Sequence, residues 1–174
     1  MPLQLYAHPF ASYCQKVLTA LYENGTPFEL RMLAPDNPKA AEEFASLWPL
    51  KRMPLLRDGE RSVVESSIII AYLDLHHPGP ARLIPAGGDA ALDQHMMDRF
   101  FDLYVHTPMQ KVVGDRLRAE SDRDPFGVAE ARAMLDAAYA WLDRQLAGRR
   151  WAAGDDFSLA DCAAAPSLFY ADWT

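Results

Sequence analysis

The sequence predicts an α/β domain followed by an all-helical domain. Strand and helix patterns alternate in the first half of the chain, whereas only helical periodicity is present in the second half. Three prolines and three glycines lie between Pro78 and Gly88, a composition typical of a linker. We therefore expect one domain over residues 1–77, a linker over 78–88 and a second domain over 89–174.

The first elements of the chain read as strand, helix and strand. Residues 3–6 alternate as in a half-buried strand, which Pro9 ends. A helix is then predicted from Ser12 to Gly25, because its apolar residues recur at the spacing i, i+3, i+4 and i+7: Cys14, Val17, Leu18 and Leu21. Residues 28–32 read as the second strand.

A hairpin and a further helix complete the first domain. After a short helical piece that follows Pro38, residues 53–56 and Val63-Val64 flank the turn signal Asp58-Gly59. The last helix of this domain is predicted from apolar residues at helical spacing: Ile68, Ile69, Tyr72 and Leu73.

The second domain is predicted to contain long helices. The first is traced by one apolar face and is bent or interrupted at Pro108: Leu92, Met96, Phe100 and Leu103. The second predicted helix ends at Gly148, and its apolar face contains six residues: Val128, Ala131, Leu135, Ala138, Leu142 and Leu146. Ser158 and Asp161 fit a capping box that opens a third helix, an interpretation that requires no ligand.

Composition excludes several classes of protein. The chain has 174 residues, of which half are hydrophobic, and a net charge of −7 with 17 scattered Lys and Arg residues, which argues against a nucleic-acid partner. No apolar run is long enough for a membrane span, so we expect a cytoplasmic protein. Cys14 and Cys162 form no recognisable redox or zinc pair, and the five histidines lack metal-ligand spacing. We expect no metal.

Two segments indicate a site for a peptide-like ligand. Pro54 is compatible with an edge of the sheet, where the backbone at Met53 has free polar groups that can pair with a peptide. Glu65 and Ser66 open an apolar helix, which places a carboxylate, a hydroxyl and unpaired N–H groups together. Such a helix start can bind the charged head of an amino acid, although the same pair can simply cap the helix.

A series of short motifs follows in order along the chain: Leu5-Tyr6, Ser12-Tyr13-Cys14-Gln15-Lys16-Val17, Asn24-Gly25-Thr26-Pro27-Phe28-Glu29, Trp48-Pro49, Met53-Pro54-Leu55-Leu56, Asp58-Gly59, Glu65-Ser66-Ser67-Ile68, Tyr72-Leu73 and the box from Ser158 to Asp161. In the order and spacing of these motifs, the chain resembles the cytosolic glutathione transferase superfamily over essentially its whole length. The resemblance implies a thioredoxin-like first domain, a helical second domain and a homodimer. Since family members usually continue beyond the position of Thr174, we expect the helical domain to be short or incomplete.

The resemblance also implies how glutathione is bound. The peptide bond before Pro54 is expected to be cis, and the backbone of Met53 is expected to pair with the cysteinyl part of glutathione. Glu65 and Ser66 match the positions that hold its γ-glutamyl end. Lys51, or its neighbour Arg52, is a candidate for the glycyl carboxylate through charge-assisted hydrogen bonds, although two bases in an exposed loop can also be merely solvated.

The chemistry of glutathione requires a stabilised thiolate, because a free thiol is mostly protonated at pH 7. A hydroxyl at a helix start can stabilise the anion, and Ser12 matches the serine of serine-type members; a plain helix cap is the alternative. Cys14 offers mixed-disulfide chemistry, as in cysteine-type members, unless it is an inert buried thiol. Tyr13 is a minor candidate as a hydroxyl donor, whereas Tyr6 is expected to pack in the core.

A second, apolar substrate is expected to contact aromatic and sulfur-containing side chains from both domains: Phe10, Tyr104 and Met109. Glutathione transfer to an apolar electrophile is therefore the leading hypothesis. A glutathione-dependent thiol oxidoreductase acting through Cys14 is one alternative. A non-catalytic interaction protein with the same fold is another.

Overall fold

The computed structural model describes residues 2–173. The chain divides into two compact units, one ending at Pro85 and the other beginning at Ala86. The first unit contains a sheet and helices, and the second is built from helices. The predicted fold class, α/β plus all-α, is confirmed.

The first unit has a four-stranded mixed sheet in the order β2-β1-β3-β4. Strand β1 (Leu3–Ala7) runs parallel to β2 (Phe28–Met32) and antiparallel to β3 (Leu55–Asp58). β3 forms the predicted hairpin with β4 (Arg61–Val64). Gly59, at the turn, has φ of +57°, a left-handed conformation that glycine adopts without steric cost.

Three helices accompany this sheet in a thioredoxin-like arrangement: α1 (Ser12–Glu23), α2 (Pro38–Leu47) and α3 (Ser66–His76). Helix α1 buries the predicted apolar stripe, and Gly25 follows its end with φ of +58°. In α3, Ile69 and Leu73 are buried as their spacing predicts, whereas Ile68 is exposed.

The first unit extends past residue 77 because the following stretch is anchored to it. Leu83 is fully buried, and its N–H donates to Asp74 Oδ1 at 2.8 Å. The N–H of Ala81 donates to Asn24 Oδ1 at 2.9 Å. These contacts hold the first half of the proline-rich stretch against the α/β unit.

The second unit begins with one continuous helical segment. It comprises α4 (Gly88–Phe100), a π-helical turn (Phe101–His106) and α5 (Thr107–Arg116). Pro108 lies in the first turn of α5, so the π-helical turn immediately precedes the proline that was expected to disturb the helix. A short 3₁₀ turn (Glu120–Asp122) follows.

Two more helices close the helical core, α6 (Pro125–Leu146) and α7 (Leu159–Ala171). The predicted face of α6 is buried at four positions: Ala131, Leu135, Ala138 and Leu142. The prediction that the face of Leu92 and Leu103 is buried is wrong, because these two side chains are 67% and 50% exposed. The neighbouring face packs instead against α6 and α7: Met97, Phe101, Val105 and Met109.

The capping box at the start of α7 is confirmed. The Asp161 carboxylate accepts from the Ser158 N–H at 3.0 Å and from the Ala152 N–H at 2.7 Å. Asp161 therefore fixes both the helix start and the segment that precedes it. Across residues 2–173, the helices are all too short or too polar to cross a membrane.

Candidate functional site

The β3–β4 hairpin brings the two predicted binding segments together. Leu55, the first residue of β3, is paired with Val64, the last residue of β4. Pro54 and Glu65 therefore lie side by side at one end of the hairpin. The Met53–Pro54 peptide bond is cis, which confirms the expectation from the family resemblance.

The backbone is strained at two of the predicted site residues. Lys51 has φ of +52° and Glu65 has φ of +69°; these are the non-glycine residues in the left-handed region among residues 2–173. Such conformations cost on the order of 1–3 kcal/mol each and cluster at ligand-binding sites. Both outliers flank the hairpin end, so the strain is concentrated in the segments predicted to bind a peptide.

Glu65 and Ser66 form the start of α3. Glu65 occupies the N-cap position with an exposed side chain that does not cap the helix, while Ser66 is 6% exposed. The first turn of α3 carries the positive end of the helix dipole. The arrangement can bind a carboxylate, with Glu65 available for an ammonium group.

Ser12 is the first helical residue of α1 rather than its cap. The N-cap position belongs to Ala11, which has an extended backbone, and Ser12 is 8% exposed. Ala11 thus occupies the cap position that the alternative interpretation assigned to Ser12. Tyr13 follows in the same turn and is half-buried.

Cys14 lies inside the apolar core of the first unit. Its side chain is fully buried, and this burial raises the pKa of the thiol to about 11, although a hydrogen bond with the His8 backbone lowers it by a smaller amount. A thiol with such a pKa contains very little thiolate at pH 7. The structure gives Cys14 the properties of an inert packing residue.

Tyr6 is also a packing residue, as expected from its position in a strand. It is 1% exposed, and its hydroxyl donates to Glu43 Oε2 at 3.1 Å. Lys51 and Arg52 are exposed, whereas Met53 is half-buried and Pro54 is buried. The basic pair is thus open to solvent beside a fixed backbone segment.

Lys16 and Ser67 lie within the quoted motifs but were not predicted as site residues. Lys16 is 1% exposed, and its Nζ donates to Ser67 Oγ at 2.9 Å. Ser67 belongs to the first turn of α3, next to Ser66. Lysine is rarely so buried in proteins, so its residue type gave no signal of this contact.

The residues proposed for the second substrate belong to different units. Phe10 lies in the loop before α1 and is 79% exposed. Tyr104 is in the π-helical turn and is 45% exposed, and its ring packs 5.3 Å from that of Phe100. Met109 is buried in the core of the helical unit. Within residues 2–173, acidic, histidine and cysteine side chains form no group suited to a metal ion.

The expectation that Pro54 lies at an edge strand is wrong, because it immediately precedes β3, which pairs with β1 on one side and β4 on the other. An α/β unit with a cis-proline before an inner strand, followed by a unit of helices, defines a class of two-part proteins with a thioredoxin-like first half. Comparison with known families agrees with this class in both halves. Residues 5–81 match the N-terminal domain of glutathione S-transferase, and residues 125–172 match its C-terminal domain. The chain belongs to the glutathione S-transferase family.

Individual proteins show the same relationship. A glutathione S-transferase-like protein of a Fusarium species is 30% identical over 90% of this chain and 71% of its own length. The crystal structure of a glutathione S-transferase from Methylobacterium radiotolerans, in complex with glutathione sulfonate, superposes with a TM-score of 0.85 at 31% identity, covering 99% of this chain and 80% of that one. A stringent starvation protein A homologue of Coxiella burnetii is 26% identical over 96% of this chain and 75% of its own length.

Proposed function

We propose that the protein is a glutathione transferase, which binds glutathione in its first unit and transfers the thiolate to an apolar electrophile. The observation that carries the proposal is the hairpin end, where the cis Met53–Pro54 bond lies beside Glu65 at the start of α3. The Met53 backbone pairs with the cysteinyl part, while Glu65 and Ser66 hold the γ-glutamyl end. Lys51, with Arg52 beside it, faces the glycyl carboxylate.

The proposed thiolate stabiliser is Ser12. Its hydroxyl lies in the first turn of α1, where helix N–H groups favour an anion. The thiolate attacks the electrophilic carbon, a carbon–sulfur bond forms, and the leaving group departs with the electron pair. Tyr13 is the neighbouring hydroxyl, and the exposed ring of Phe10, in the loop before α1, is proposed to contact the electrophile.

The test is calorimetric titration of glutathione into the wild type, Ser12→Ala and Cys14→Ser, with thiolate absorbance of the complex followed against pH. We expect Ser12→Ala to raise the pKa of bound glutathione and Cys14→Ser to leave it unchanged, because Cys14 is buried with a raised pKa. Ser46→Ala, an exposed serine in α2, is the matched control. Absence of glutathione binding to the wild type would exclude the transferase proposal.

A non-catalytic protein with the same fold is the second candidate. The similarity to a stringent starvation protein A homologue favours it, since that name describes no transferase. It predicts a folded chain without measurable glutathione affinity, so the same titration separates the two candidates. An oxidoreductase acting through Cys14 is less well supported because of the burial of that thiol.

A homodimer in the cytoplasm is part of the proposal. Exposed apolar side chains on α4 and the π-helical turn support a second copy as a partner: Leu92, Met96 and Leu103. The two cysteines are free thiols, as is usual in a reducing compartment. Sedimentation equilibrium of the wild type and Met96→Lys tests the dimer, which the variant is expected to weaken.

A further inference from the structure

A cavity of about 380 Å³ opens beside the proposed glutathione site in the first unit. It lies between the loop after β2, one face of α2 and the loop before β3. The loop after β2 and helix α2 supply apolar walls: Leu33, Pro35, Ala41, Phe44 and Ala45. A cavity of this volume and lining is suited to an apolar group.

Two further lining residues, Lys51 and Met53, belong to the proposed glutathione site. Lys51 is the charged member of the lining and is exposed, whereas Phe44 in the cavity is 5% exposed. A peptide that pairs with the Met53 backbone and directs its C-terminal carboxylate to Lys51 passes along the rim of the cavity. Its C-terminal residue then lies next to the opening, but glycine has no side chain to enter it.

We propose that this cavity binds the side chain of the C-terminal residue of the thiol peptide. The protein would then accept γ-glutamylcysteinyl peptides that end in an apolar residue and bind them more tightly than glutathione itself. This inference rests on the proposed function, because it uses the same orientation of the peptide on Met53 and Lys51. The apolar walls take the side chain, while the lysine pairs with the carboxylate.

The experiment compares S-methyl derivatives of γ-Glu-Cys-Gly, γ-Glu-Cys-Leu and γ-Glu-Cys-Asp by calorimetric titration into the full chain. Partial burial of a leucine side chain corresponds to a Kd that is about tenfold lower. We expect the leucine peptide to show this gain over the glycine peptide. The aspartate peptide is expected to bind more weakly than both, because a second carboxylate loses hydration against apolar walls.

Variants that fill the cavity test whether the leucine side chain binds there. Ala41→Leu and Ala45→Leu add side-chain volume on the cavity face of α2 while keeping a residue that favours helix. We expect either change to remove the tenfold advantage of the leucine peptide and to alter the Kd of the glycine peptide by less than about threefold. Ala133→Leu makes the same change at an exposed position of α6 and should leave the affinities for all three peptides unchanged.

The outcomes separate this inference from the proposed function. Binding of the glycine peptide with no advantage for the leucine peptide overturns the inference alone. An advantage that persists in both cavity-filling variants also overturns it, because the side chain then binds elsewhere. If no peptide binds to the wild type, the proposed function fails, and the inference fails with it.

Discussion

Lys16 Nζ lies 2.9 Å from Ser67 Oγ, so a buried cation of α1 contacts the first turn of α3. Helix α1 begins at Ser12, the proposed thiolate stabiliser, and α3 begins at Ser66, the proposed ligand of the γ-glutamyl end. The contact therefore links the helix that contains Ser12 to the helix that begins with Ser66. A buried side chain with a defined hydrogen-bond partner can fix the distance between the two helix starts more firmly than solvent-exposed loops can.

Replacement of Lys16 by alanine should destabilise the protein. The change removes a fully buried aliphatic stem and takes the donor away from Ser67 Oγ, so we expect a loss of about 2 kcal/mol in the free energy of unfolding. Urea unfolding followed by circular dichroism measures it. Lys39→Ala, at an exposed lysine in α2, should stay within about 0.5 kcal/mol of the wild type. Equal effects of the two changes would contradict a structural role for Lys16.

The fold was predicted well where apolar spacing was unambiguous. In α1, the stripe containing Cys14 and Val17 faces the core as expected. In α4, apolar residues occur at adjacent positions, such as Met96 and Met97, so the sequence does not decide which face is buried. The π-helical turn from Phe101 to His106 also shifts the downstream face, and no local pattern predicted it.

Polar burial is the other limit on sequence-based prediction of the helical unit. Gln94, Asp98, Asp102 and His106 recur every four residues and are all buried, although their residue types predict an exposed face. Their burial depends on tertiary packing. A hydrophobicity pattern carries no information about it.

The candidate site was partly accessible from sequence. Met53-Pro54 and Glu65-Ser66 could be proposed because proline and a helix start have local signatures, and the hairpin that joins them was predicted from Asp58-Gly59. The cavity beside Lys51 was not found, since its walls come from segments that meet only in the folded unit.

The raised pKa of Cys14 predicts a loss of stability at high pH. The thiol has an ordinary pKa of 9.0, and burial raises it to about 11 in the folded protein, so the neutral form favours the folded state. This contribution is complete below pH 9 and is lost as the pH rises through 11, with a total on the order of 3 kcal/mol. Urea unfolding of wild type and Cys14→Ala from pH 8 to 11 should show the wild type losing stability relative to the variant. A difference independent of pH would contradict the burial of the neutral thiol.

The lowered pKa of Asp58 predicts that the protein loses stability at acid pH. Hydrogen bonds from His77 at 2.7 Å and Tyr72 at 2.9 Å to Asp58 Oδ2 hold the pKa of that carboxyl below its ordinary value of 3.8. The charged form thus favours the folded state, and its contribution is present above pH 3.8 and is lost as the pH falls further. Thermal unfolding between pH 6 and 2.5 measures it: as the pH falls, the Tm of the wild type should lose its advantage over the Tm of Asp58→Asn. Tyr72→Phe, which removes one donor, should reduce the effect; an unchanged profile in that variant would assign the effect to His77 alone.

The capping box predicts a large effect at one carboxylate. Asp161→Ala leaves the buried N–H groups of Ser158 and Ala152 without their acceptor, so we expect a loss of about 3 kcal/mol in the free energy of unfolding. Asp143→Ala, at an exposed position of α6, is the matched control and should have little effect. Urea unfolding compares them, and a loss below about 1 kcal/mol for Asp161→Ala would show that water replaces the carboxylate.

Glu65 combines backbone strain with a proposed binding role, and the two can be separated. Its φ of +69° is costly for any residue with a Cβ, so Glu65→Gly should raise the free energy of unfolding by about 1 kcal/mol even though glycine is more flexible when unfolded. The same change removes the carboxylate proposed to face the ammonium group of glutathione, and should weaken binding at least about tenfold. Glu65→Gln keeps the strain but lacks the charge; it should match the stability of the wild type and still bind glutathione more weakly. A Glu65→Gly variant that is both less stable and unchanged in affinity would contradict the strain and the binding role together.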